Sequence, residues 1–301
     1  MKEAEIIASP SLLVEEFPYQ ESVSYWRDAW RRLCQNKPAM VGLCLLTVLI
    51  LGAIFIPYLS SHTYYETHLH LKNKAPCSDF WFGSDELGRD LFTRIWWGAR
   101  ISLFVGIIAA IIDMFIGVFY GAIAGMIGGK TEDLMMRLSD VLYSLPHLLI
   151  VILLMVIMKP GVFTIIIALT LTGWINMARI VRGQILQIKQ NDYVMAAHML
   201  GAKRRRILMR HLIPNSIGTI ITTMTLTIPA AIFSEAFLSF LGLGVQAPIA
   251  SWGTMASDGL SALRYYPWRL FFPACFISVT MLAFNMVGDG VRDAFDPRLR
   301  K

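Results

Sequence analysis

The sequence predicts an all-α, polytopic membrane protein with six transmembrane helices, and three observations carry that expectation. The 301 residues are 55% hydrophobic and only 16% charged, where a soluble domain carries about a quarter charged residues. The charges are segregated, leaving long stretches with none. Six of these stretches are long enough to cross about 30 Å of hydrocarbon: 39–59, 101–126, 141–158, 162–180, 212–233 and 270–287.

Residues 1–21 are polar and acidic and read as a loosely ordered tail. From 22 to 35, Trp26, Trp30 and Leu33 share one helical face beside Arg27, Arg31 and Arg32. That pattern suits a helix lying at the lipid headgroups, or a short juxtamembrane stub. The first apolar run begins only after Pro38, so no cleavable signal peptide is expected. The uncharged run 236–257 holds SFLGLG, Pro248 and SWG, which favour a buried loop or re-entrant turn, with a seventh span as the alternative.

Orientation follows from the basic residues. With the N-terminus in the cytoplasm, the 27 lysines and arginines divide 19 inside to 8 outside. This asymmetry places both termini in the cytoplasm. Long outer loops then fall at about 60–100 and 238–268. The net charge of +6 is explained by this topology, with no nucleic-acid binding implied. The four cysteines are scattered and read as structural.

Residues 124–131, AGMIGGKT, differ by Ala124 from a phosphate-cradling loop. An apolar helix precedes them where such a loop needs a buried strand, so no nucleotide site is assigned and no cofactor is expected in this chain. Gly117, Gly121, Gly125 and Gly129 instead repeat every four residues, a stripe that lets two membrane helices approach closely. His62, His68, His70 and Cys77 sit in a solvated outer loop and are assigned no metal.

Asp113 falls near the middle of the second span, where a carboxylate is expensive and marks a pathway or a cross-helix pair. Glu235 lies at the outer end of span five. Arg137 and Asp140 lie at the inner start of span three and suit ion pairing. Pro146 and Pro229 are expected to kink their helices. No nucleophile–base constellation or carboxylate pair stands out, so an enzyme is not expected.

The longest polar break is 191–215, NDYVMAAHMLGAKRRRILMRHLIPN. A small-residue helix there (Tyr193, Met195, Ala196, Ala197) runs to Gly201. A basic cluster follows (Lys203, Arg204, Arg205, Arg206, Arg210), able to pair with acidic protein rims or anionic membrane lipid.

Several strings occur together in order: FGSDELGRDLFTR (82–94), GARISL (98–103), MRLSDVLYSLP (136–146), MARIVRGQIL (177–186), DYVMAAHMLGA (192–202), SFLGLG (239–244), SWG (251–253) and NMVGDGVRDAFDPRLR (285–300). Together they resemble the C-type permease subunits of binding-protein-dependent ABC importers of the oligopeptide/dipeptide/nickel group. The resemblance implies a type I ABC importer transmembrane fold over 38–290. A cytoplasmic tail with an interfacial helix (1–37) precedes it, and a cytoplasmic C-terminal tail (291–301) follows. It implies a bacterial inner-membrane location and one half of a pathway for peptides.

The implied partners are a second, B-type permease, two ABC ATPases holding ATP and magnesium, and an extracytoplasmic peptide-binding protein. In this family a loop, here 182–212, carries the ATPase-coupling motif of EAA, three residues, Gly, nine residues and I-x-L-P. The matching positions are Met195, Ala196, Ala197, Gly201 and the string ending at Pro214, with Tyr193, Ala202 and Arg204 alongside. Met195 stands where the family has Glu, and His211 where it has Ile. Asp85, Arg89, Asp90 and Trp252 are expected to meet the binding protein. The alternative is a self-sufficient secondary transporter or channel, whose class often shows repeats and midplane ion ligands; here one membrane carboxylate and no obvious repeat are present.

Overall fold

The computed structural model describes residues 25–295. The acidic tail 1–21 and the end of the C-terminal tail, 296–301, lie outside the described residues. Helix α1 (Tyr25–Gln35) is followed at once by α2 (Lys37–Leu59). Asn36 divides them because its side chain accepts from the Ala39 N–H, capping α2 ahead of Pro38. On α1, Trp26 and Trp30 are exposed.

Helix α3 (Leu91–Ile127) has 37 residues, about 56 Å at the rise of an α-helix. It starts ten residues before the expected span, so the outer loop is shorter than its charges imply. Arg100, which reads as a loop residue, is satisfied on the helix. Its guanidinium donates to the carbonyls of Ala53 (2.6 Å) and Ile54 (2.8 Å) and lies 4.7 Å from the rings of Tyr58 and Trp97.

The expected third span is a bent pair, α4 (Gly129–Ser144) and α5 (His147–Met158), meeting at 77°. Pro146 therefore breaks the chain where a kink was expected: it sits in extended backbone as the cap of α5. Ion pairs from Arg179 to Asp140 (2.7 Å) and from Arg182 to Glu132 hold α4 against α6 (Val162–Ile188).

After α6 come α7 (Asp192–Met199), α8 (Arg204–Ile207) and α9 (Ile213–Phe240). A π-helical turn, Leu208–Leu212, joins α8 to α9 as one continuous helix. Pro214 has no N–H to give the carbonyl one turn back, and the widened turn before it accommodates that loss. The run 236–257 is not a span. It ends α9, turns at Gly242 (φ +80°) and enters the short, largely buried α10 (Trp252–Ser261). Helix α11 (Trp268–Phe295) closes the fold and reaches five residues into the expected tail, where Phe295 meets Trp26 edge-on at 5.8 Å. Among the described residues, five helices are thus long and apolar enough to cross a membrane, six with the bent pair.

Helices α3 and α6 form the central contact, and the glycine stripe makes it possible. A Cβ on Gly117 would fall 2.6 Å from Met177, on Gly121 2.2 Å from the Ala178 carbonyl, and on Gly125 3.0 Å from Ile185. Gly129 lies outside this contact, in the α3–α4 turn with nothing within 4 Å. Three apolar clusters fill the bundle. One surrounds Trp252 between α2, α3, α10 and α11, and one joins α3, α5, α6 and α9. The third ties Val194, Ile207 and Leu212 to Met126, Ile185 and Ile188.

Candidate functional site

Three regions hold the residues singled out in the sequence. The first is α7 and its exit. The helix ends in two reverse hydrogen bonds: the Ala202 N–H donates to the Ala197 carbonyl (3.1 Å) and the Gly201 N–H to the His198 carbonyl (3.0 Å). This is the Schellman arrangement, and it requires a left-handed residue at Gly201, whose φ is +79°.

Val194 is 3% exposed and plugs α7 into the third cluster. The Asn215 amide donates to the Tyr193 hydroxyl (3.1 Å) and to the His211 carbonyl (2.6 Å), tying α7 to the start of α9 beside Pro214. The opposite side is bare: Tyr193, Met195 and Ala196 are exposed, as are Arg204 and its basic neighbours, while Ala197 is half-buried. Met199 and Leu200 are 87% and 88% exposed. The sequence reading passed over these two, although a Met-Leu pair before a helix-ending glycine in a basic loop is a visible signal. Exposed apolar patches rimmed by charged residues are the kind of surface that meets a protein or a membrane.

The second region is the clasp of residues 71–94 against α10 and α11. Asp85 Oδ1 accepts the N–H groups of Leu87 and Arg89 (2.9 Å each), and Oδ2 accepts from Arg89 Nε (2.6 Å), with Arg94 Nε at 3.5 Å. Asp90 caps α3, accepting from the Thr93 N–H (2.8 Å) and the Thr93 hydroxyl (2.6 Å). Ser84 bonds the Leu71 carbonyl, and Arg269 reaches Asn73 (3.2 Å) and Glu86 (3.4 Å). Partial desolvation, with Glu86 nearby, raises the Asp258 carboxyl above its ordinary value although the residue is exposed, opposed by Arg94, Arg269 and Arg89.

Glu235 is wholly buried and accepts from Ser102 (3.0 Å) and Ser239 (2.7 Å), while the Trp252 N–H donates to Ser102 (3.3 Å) and its indole to the Ile95 carbonyl (3.0 Å). Glu235 thus pins α3 to α9 and α10. Asp85, Arg89, Asp90 and Trp252 are each 7% exposed or less. Their polar atoms are turned inward and spent on the clasp.

The third region is a cavity of about 450 Å³ among α3, α5, α6 and α9, lined by Asp113, His147, Thr172, Asn176, Thr223, Thr227 and Ser234 among others. Asp113 is 4% exposed. A charge at this depth costs about 2.5–3.5 kcal/mol on an insertion scale. Sequence reasoning found Asp113 and missed the hydroxyl wall opposite, although Thr219, Thr223 and Thr227 recur every four residues.

Apolar spans around a cavity that holds a carboxylate and several hydroxyls, with an exposed helix at one end, are the architecture of a membrane permease. Residues 117–301 match the family described as binding-protein-dependent transport system inner membrane component. Residues 24–76 match the N-terminal transmembrane domain of oligopeptide transport permease C. The chain belongs to the binding-protein-dependent transport permeases. It is 60% identical over 282 residues to the oligopeptide transport system permease protein OppC of Bacillus subtilis, covering 94% of this chain and 92% of that one. It is 58% identical to the dipeptide transport system permease protein DppC of the same organism, covering 93% of this chain and 88% of that one. To OppC of Escherichia coli it is 45% identical, covering 93% of each.

Proposed function

We propose that this chain is one of two unlike permease subunits of an ATP-driven importer of oligopeptides or dipeptides in the bacterial inner membrane. The observation that supports it most is the 60% identity, across nearly the whole length, to an oligopeptide permease. Both termini lie in the cytoplasm, as the basic residues favour. That orientation puts α7 on the side where ATPases work.

In this reading α7 seats in a groove of a soluble ATPase through Tyr193, Met195, Ala196, Met199 and Leu200, while the basic residues after Gly201 meet an acidic rim or anionic lipid. ATP and magnesium belong to the ATPases. A rigid-body movement of α7 passes through Val194 into the cluster that holds α3, α6 and α9, and so changes access to the cavity. The binding protein meets exposed side chains around the clasp, such as Glu86, Trp81 and Tyr265. The apolar faces of α4 and α5, exposed at Leu138, Leu149 and Leu153, are covered by lipid or the second permease.

The test is Ala197→Trp in the complete transporter reconstituted in vesicles. The bulky ring prevents α7 from seating, so peptide uptake falls roughly tenfold or more while the chain inserts normally. Uptake at the wild-type rate would refute the role of α7.

A further inference from the structure

The cavity has a chemical bias that points to what it holds. Asp113 Oδ1 is enclosed without a hydrogen-bond partner among the described residues, and no lysine or arginine lines the cavity. Gly173 on α6 makes the room for this carboxylate, since a Cβ there would lie 2.3 Å from Asp113 Oδ2. Across the cavity, the hydroxyls of Thr223, Thr227 and Ser234 donate to the carbonyls one turn back on α9, at 2.8, 2.9 and 2.9 Å. Each has only one proton to give, so each presents lone pairs to the cavity. The carboxylate oxygen has no partner although Asn176, Thr172 and His147 also line the space, and a buried polar group without a partner is costly. At about 450 Å³ the space is that of a small-molecule site.

We propose that Asp113 receives the ammonium group of the solute in transit, while Thr223, Thr227 and Ser234, spread along α9, accept N–H groups further along the solute. This rests on the peptide-importer reading: a peptide with a free amino terminus brings the cation that no lysine or arginine supplies here, and N–H donors for the α9 hydroxyls.

The experiment uses the complete transporter in vesicles, supplied with its binding protein and a mixture of synthetic tri- to pentapeptides, with uptake read by mass spectrometry. Asp113→Asn lowers uptake roughly tenfold or more, the loss expected when a charged hydrogen bond goes, and Asp113→Glu restores much of it. A second readout separates binding from structure. In a chain with Cys34, Cys44, Cys77 and Cys275 replaced by serine, Ser234→Cys is labelled with a cationic or an anionic methanethiosulfonate. The carboxylate favours the cationic reagent, and Asp113→Asn lowers the cation-to-anion rate ratio by roughly tenfold.

If the wild-type transporter imports none of the peptides, the functional reading fails and the proposal falls with it. If it imports them and Asp113→Asn does so equally well, the ammonium site alone is refuted. Reduced uptake with an unchanged labelling ratio also refutes it, because Asp113 then acts only in packing.

Discussion

The two ends of the bundle solve opposite problems. At the clasp, a loop rich in charge closes on itself: Asp85, Arg89, Asp90 and Arg94 are buried and bonded to one another or to nearby backbone. At the α7 end, apolar side chains stand in the open, with Met199 and Leu200 the barest. Charges turned inward make a rigid element that needs no second chain. Apolar groups turned outward leave a surface that its own fold does not cover. The difference separates an end whose charges satisfy one another from an end whose apolar surface is left open.

Breaking the clasp should therefore damage the chain by itself. Trp252→Ala removes the largest wholly buried side chain and should cost about 3–5 kcal/mol of stability, seen as a lowered melting temperature of the purified subunit in detergent. Asp85→Asn keeps the shape but removes the charge facing Arg89 and Arg94. It should cost about 2 kcal/mol, read in the same melt. The α7 end should respond in the other way. Met195→Glu places the family's usual residue on an exposed site, and should change stability by no more than about 0.5 kcal/mol. A large loss of stability there would show that α7 is part of the self-supporting fold.

How much was legible in the sequence divides along the same line. The spans were visible because hydrocarbon thickness sets a length that apolar runs must match. The α7 helix, its end at Gly201 and the Gly117–Gly125 stripe were visible because each depends on spacing within one element. The inward direction of Asp85 and Trp252 was not. Trp252 takes its partners from Ile95 and Ser102, about 150 residues away, and local pattern carries no trace of them. Pro146 marked a kink but not its size: the apolar residues on both sides of SLPH (144–147) read as one span, and local pattern does not show that they meet at 77°. The start of α3 was hidden because Arg94 and Arg100 imitate a loop until their carbonyl partners on other segments are known.

The central claim is that the bare tip of α7 is completed by an ATPase, and Leu200→Asp tests it most directly. Leu200 is 88% exposed, so a charge there leaves the folded subunit intact but spoils an apolar contact. Affinity purification of the tagged subunit from membranes expressing the whole transporter should then recover the second permease at the wild-type level and the ATPases at a small fraction of it. ATPases recovered in full, with peptide uptake undiminished, would contradict the account.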